Sequence, residues 1–179
     1  MTDSPHPGAR PALREPFEPS AMARIVSPSN LISVLIDATR SHGGDRGIVA
    51  LFHAAFLGRP NASDLPDLAE RLLASDYIAH CSTPVEHVTA QGLIASWRRL
   101  GAAVPDLGIA VAEMLQDGNR WIVRSSLTGT PMGRFLGIEP TGRSFCIQAI
   151  HIHRLEDGRI AESWLVEDWS GAMRQLTRD

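Results

Sequence analysis

The chain has 179 residues, a formal net charge of −3, 44% hydrophobic and 21% charged residues, the profile of one globular domain that buries about 70% of its unfolded surface. All 17 basic residues are arginine and lysine is absent. That excludes imine chemistry on a protein amine, a pyridoxal phosphate anchor, a Walker-type phosphate loop and a Ser–Lys dyad, and the lack of an arginine block disfavours nucleic acid as a partner.

Six of the 12 prolines fall in the first 28 residues, which hold few large apolar side chains, so 1–28 reads as a flexible tail. An extra helix is expected over 29–44, with Leu31, Val34, Leu35 and Ala38 on one face and Gly43-Gly44 stopping it. The main domain spans 45–179. Its first helix follows Asp45, carries Ile48, Leu51, Phe52 and Ala55 at helical spacing, and ends at Gly58. The next starts at Pro66 and carries Leu68, Leu72 and Leu73. A further helix runs from about Thr89 to Val104, with Leu93, Ile94, Trp97 and Leu100 inward.

From Leu107 the period changes to two. A strand leads into the turn Gln116-Asp117-Gly118-Asn119 and returns over Trp121–Thr130. After a Gly-rich connection come strands Arg143–Leu155 and Arg159–Asp168, joined at Asp157-Gly158. Helices first and an antiparallel meander second predict an α+β fold, with helices packed on one face of a curved sheet. Cys81 and Cys146 lack C-x-x-C spacing and read as two buried, reduced thiols. With no signal core at the N-terminus and no apolar run long enough to span a membrane, the expected location is cytoplasmic, with no membrane partner.

A two-residue turn at Asp157-Gly158 pairs Glu156 with Arg159, and so His153 with Glu162, His151 with Trp164, and Ala149 with Val166. Asp168 then lies on the same side as His151, His153, Trp164 and Val166, a face suited to lining a small-molecule pocket. Above large apolar neighbours its carboxyl would be raised toward neutral pH, as a general acid or base needs. The alternative is a strand-end carboxylate capping Trp169-Ser170-Gly171. Four residues of register, about 13 Å at about 3.3 Å each, separate His151 from Asp168, so the two flank a flat substrate rather than form a dyad.

His151 and His153 with Glu162 opposite suggest a metal site, but no third ligand stands at a recognisable spacing, and no metal is expected. His80 and His87 sit in loop-like segments after Tyr77, near a pocket mouth or simply exposed. His53, mid-helix beside Phe52, reads as structural, and Trp97 as core that can also touch a ligand. No G-x-S-x-G occurs, so a serine nucleophile is not indicated.

The run Gly129-Thr130-Pro131-Met132-Gly133-Arg134-Phe135-Leu136-Gly137-Ile138-Glu139-Pro140-Thr141-Gly142-Arg143 resembles the G-T-x-x-G-x-F-x-G-x-x-P-T-G-[KR] signature of SnoaL-like polyketide cyclases. Leu155-Glu156-Asp157-Gly158-Arg159-Ile160, Glu162, Trp164, Asp168 and Gln175-Leu176 continue the pattern, and Val104-Pro105-Asp106-Leu107 resembles the family's F-P-D-L. The likeness covers about residues 46–178 and has two departures. Pro131 stands where the family usually has His, and the N-terminal extension is atypical.

The resemblance implies a cone-shaped α+β barrel of the nuclear transport factor 2-like kind, often a homodimer through the sheet. It implies cofactor-free closure of a polyketide ring by intramolecular aldol condensation. The family's catalytic aspartate falls on Asp168 and its histidine on His151 or His153. Expected substrate contacts are Trp164, Val166, Trp97, Met132, Phe135, Tyr77 and His80, around an apolar or aromatic polyketide. Isomerisation, hydration or epoxide opening in the same pocket, or a non-catalytic binding module, are the alternatives.

Overall fold

The computed structural model describes residues 44–81 and 87–178. The tail expected over 1–28 and the helix expected after Asn30 lie outside the described residues. Helix α1 (Gly44–Leu51) runs directly into a π-helical segment, Phe52–Leu57. The Gly58 N–H closes that segment by donating to the His53 carbonyl at 2.9 Å. The wider turn buries five of its six side chains, Phe52, His53, Ala55, Phe56 and Leu57. π-segments of this kind concentrate at functional positions.

Helix α2 (Leu65–Leu72) begins with Pro66 in its first turn and stops where Leu73 turns extended, so Leu73 opens a strand instead of continuing the helix. Strand β1 (Leu73–His80) and the short β2 (His87–Thr89) occupy the segment expected to be loop. Thr89 caps α3 (Ala90–Ala103) by accepting from the Gly92 N–H at 3.3 Å. Strands β3 (Gly108–Asp117), β4 (Arg120–Gly129), β5 (Phe145–Glu156) and β6 (Arg159–Glu167) form the expected meander. A final helix, α4 (Trp169–Thr177), was not anticipated from the sequence.

The six strands make one open sheet in the order β2-β1-β6-β5-β4-β3. It is mixed rather than wholly antiparallel, because β1 enters parallel to β6. One face is covered by the helices. Val49, Phe52, Phe56, Leu93 and Trp97 pack there against Val123, Leu127, Phe145 and Ile147 in a single core. Burying a side chain such as Phe56 contributes about 1.5–3 kcal/mol. No helix of the described residues is long and apolar enough to cross a membrane.

The β5–β6 register departs from the expected one at a single point. Glu156 pairs with Arg159 and Leu155 with Ile160, but Arg154 pairs with Glu162, leaving Ala161 as an extra residue. Ile160 and Ala161 are both buried in succession, the mark of a bulge. Every later residue of β6 therefore faces opposite to expectation. His153 pairs with Ser163, His151 with Leu165 and Ala149 with Glu167.

Candidate active site

The inner face of β5 presents Ala149, His151 and His153. Ser125, Val123 and Trp121 flank them on β4, and Glu167, Leu165 and Ser163 on β6. The π-helical segment lowers His53 onto this face, where its Nε2 lies 3.0 Å from His153 Nε2. The His53 and His151 rings stack with centroids 5.2 Å apart. All three imidazoles are fully buried.

Burial holds His53 well below the ordinary histidine pKa, helped by the neighbouring His153 and His151. Burial and then His151 push His153 down to about 3. These two rings are neutral, so their contact needs one N–H and one lone pair. Ser163 Oγ lies 2.8 Å from His153 Nδ1 and fixes that ring.

His151 is held differently. Its Nε2 lies 3.2 Å from Glu167 Oε1, whose side chain is only 7% exposed. A carboxylate accepts, so the proton sits on Nε2 and the Nδ1 lone pair faces the interior. That Nδ1 has no hydrogen-bond partner, and neither have His53 Nδ1, Ser125 Oγ and Trp121 Nε1. The buried Tyr77 hydroxyl also lacks a bond of ordinary geometry. Burial pushes its phenol above the usual range, although Ser163 lies near enough to oppose the shift in part. Each buried polar atom without a partner costs about 1–3 kcal/mol, which marks the region as built to receive something polar. Chemically, it offers an imidazole base steadied by a carboxylate, with neutral hydroxyl and indole donors around it.

The expected site residues divide between two faces. His151, His153 and Tyr77 face the interior together. Trp164 and Val166 do not, because the Ala161 bulge turns them outward. Val166 is 65% exposed, and Trp164 stacks on His80 at 5.2 Å with the Arg120 guanidinium 5.3 Å from its ring. His80 is on strand β1, not in a loop, and pairs with Glu162 at 2.7 Å. Glu162 is likewise on the outer side, bound by His80 and Arg154 rather than facing His153. His87 is an exposed residue of β2, its ring 5.0 Å from that of His80.

Asp168 follows β6 and is the N-cap of α4. It accepts from the Gly171 N–H at 2.8 Å with a side chain 52% exposed. The carboxylate on the histidine face is Glu167, not Asp168. Trp97 is core, its indole N–H donating to the Leu57 carbonyl at 2.8 Å. Met132 is 70% exposed, and Phe135 stacks on Phe145 at 5.7 Å, away from the histidines. Cys81 and Cys146 are free and half-buried rather than fully buried. Burial raises the Cys81 thiol, as does the nearby Glu167 charge.

Three residues of the cluster were missed or misread. His53 was read as structural, and the third imidazole lies 100 positions from His153, beyond any local spacing. In the register without a bulge, Glu167 and Ser163 fall on the face opposite His151 and His153, and the Ala161 bulge brings them inward. A crevice of about 830 Å³ opens elsewhere, between α2, α3, β1 and the β5–β6 turn, and none of the expected site residues lines it.

The sequence model for SnoaL-like polyketide cyclases matches residues 48–176. A stretch of 50 residues is 38% identical to the nogalonic acid methyl ester cyclase of Streptomyces nogalater, spanning 28% of this chain and 37% of that relative's length. Among solved structures, TsrD of Streptomyces laurentii is 27% identical, with a TM-score of 0.62 over 74% of this chain and 93% of its own. IdmH of Streptomyces antibioticus is 26% identical, with a TM-score of 0.66 over 75% of this chain and 99% of its own.

Proposed function

The chain belongs to the SnoaL-like polyketide cyclase family, with its nuclear transport factor 2-like fold, and from that premise we propose that it closes a ring of a polyketide ester by intramolecular aldol condensation, using His151 as the base. The observation that carries this reading is the buried, unpartnered Nδ1 of His151, backed by Glu167 on the opposite nitrogen. A C–H between two carbonyl groups is acidic enough for such a base. The imidazole takes that proton, and the carbanion attacks a second carbonyl of the same chain. The imidazolium then returns the proton to the alkoxide. Tyr77 and Ser125, whose hydroxyls make no hydrogen bond of ordinary geometry, are suited to polarise the accepting carbonyl. Apolar walls such as Val123, Leu127 and Leu165 hold the substrate folded near attack geometry. Admission of the substrate is part of the binding step, since His151 has no solvent exposure.

The family resemblance carries the catalytic aspartate onto Asp168, whereas this reading gives the carboxylate's role to Glu167. Glu167→Gln and Asp168→Asn, assayed on an aromatic polyketide methyl ester, separate the two. Glu167→Gln is expected to lower kcat about 10²–10⁴-fold. Asp168→Asn is expected to stay near wild type, because Asn caps a helix as well as Asp does. Loss confined to Asp168→Asn would return the role to Asp168. An inactive wild-type chain would remove the cyclisation reading.

A homodimer through the outer sheet face accompanies this reading. Leu115, Ile150 and Val166 are exposed there, and Ile150 and Val166 are cross-strand neighbours. Light scattering on Val166→Glu is expected to show monomer where the wild type shows dimer, and a wild-type monomer would rule the assembly out.

A further inference from the structure

The geometry points to a site for one divalent transition-metal ion of the zinc class between His53, His151 and His153. One ring nitrogen of each residue lies within 4.8 Å of those of the other two. A tetrahedral ion with bonds of about 2.0–2.1 Å sets its ligand nitrogens about 3.3 Å apart. The His53 and His153 nitrogens, 3.0 Å apart, already stand near that spacing, and a ring nitrogen of His151 lies within 4.8 Å of both partners.

The outer contacts support the same conclusion. Metal-bound histidines characteristically give their second nitrogen to a carboxylate or another oxygen, which fixes tautomer and ring orientation. Here Ser163 Oγ holds His153 Nδ1 and Glu167 Oε1 holds His151 Nε2. That leaves His153 Nε2 and His151 Nδ1 turned inward with lone pairs. His53 completes the set through Nε2 by moving its proton to Nδ1, which has no other partner. Three imidazoles without a thiolate select zinc, cobalt, nickel, copper or iron over magnesium or calcium. With three protein ligands, the fourth position stays open to water or a ligand oxygen.

This inference goes beyond the ring-closure reading and meets it at one atom, because the His151 nitrogen that takes a proton there is a ligand here. A loaded chain has no free base at that nitrogen. Binding is therefore tested without reference to turnover, and the two ideas fail independently.

The probe is Co²⁺, titrated into tag-free chain that has been stripped with a chelator. We expect one ion per chain, visible absorption of four-coordinate Co²⁺ with nitrogen and oxygen ligands, and displacement by Zn²⁺. Ser163→Ala, which loosens His153 without removing a ligand, should weaken binding about tenfold. His53→Phe, which fills the space with an apolar ring, and His153→Asn should weaken it by more than that. Circular dichroism on each variant establishes that the chain is folded, and Ser163→Ala serves should the ligand variants not fold. His80→Ala and His87→Ala, at histidines outside the cluster, should leave affinity unchanged. Absence of Co²⁺ uptake would overturn the proposal. So would affinity that survives in folded His53→Phe and Ser163→Ala but falls in the His80 or His87 variants.

Discussion

His53 Nε2 and His153 Nε2 lie 3.0 Å apart although 100 positions separate them in the chain. The contact joins the π-helical segment to the middle of the sheet, so it bears on stability as well as on chemistry. His53→Ala leaves a cavity and strips His153 Nε2 of its partner. Together these should cost roughly 2–5 kcal/mol in urea denaturation. A change below about 0.5 kcal/mol would mean that the two rings are not packed together in solution.

Asp168 and Gly171 form a cap with no spare room. A Cβ at position 171 would meet Asp168 Oδ2 at 2.2 Å, so Gly171→Ala must push the carboxylate off the N–H it serves. Loss of the cap should cost about 1 kcal/mol. Asp168→Ala should cost a similar amount, and the double variant clearly less than the two added together. Additive losses in thermal or urea melts would show that Asp168 stabilises α4 by some other route.

Glu162 sets an acid limb. Burial alone would raise its carboxyl, but hydrogen bonds from His80 and Arg154 and their charges outweigh this and hold it below the ordinary glutamate value. A depressed folded-state pKa adds stability above the unfolded pKa of about 4.3, and that stability is lost as pH falls through the folded value. Wild-type stability should therefore drop below about pH 4 more steeply than that of Glu162→Gln. Parallel acid limbs for the two proteins would contradict the pairing.

The Ala161 bulge sets which side of β6 faces the helices. Deleting Ala161 takes out the extra residue and leaves Ile160 and Glu162 in ordinary alternation, so His151 still pairs with Leu165 and Ala149 with Glu167. The deletion is therefore expected to keep cooperative unfolding by circular dichroism, with Trp164 and Val166 still on the outer face. A deletion variant that unfolds without cooperativity would show that Ala161 is not the residue that sets the register.

Much of this molecule was readable from local pattern. The helix starts at Pro66 and Thr89, the hairpin turns at Gly118 and Asp157-Gly158, and the alternation along β4 and β5 all follow from nearest-neighbour rules. The bulge was not readable. Ile160-Ala161 presents two apolar residues in succession, and either suits a buried position, so local pattern does not say which one is extra. That single ambiguity reversed Trp164, Val166 and Glu167. Strand β1 was missed because Leu73-Ala74-Ser75-Asp76 follows a helix without a break signal, and its partner on the sheet lies more than 80 positions away. His53 needed both facts at once: a helix that widens and a strand beneath it.

The parallel pairing of β1 with β6 constrains the order in which the chain can fold. Ile78 meets Glu162 and His80 meets Trp164, so β1 waits for nearly the whole sequence before its principal neighbour exists. The meander of β3 to β6 closes through two tight turns and the connection 130–144 and can form early, whereas this seam must overcome a longer loop closure. During synthesis, β6 is the last strand to leave the ribosome. Until it does, β1 has only the three residues of β2 to pair with, and Tyr77 cannot be enclosed. The polar interior is thus completed at the end of folding, after most of the apolar core is in place.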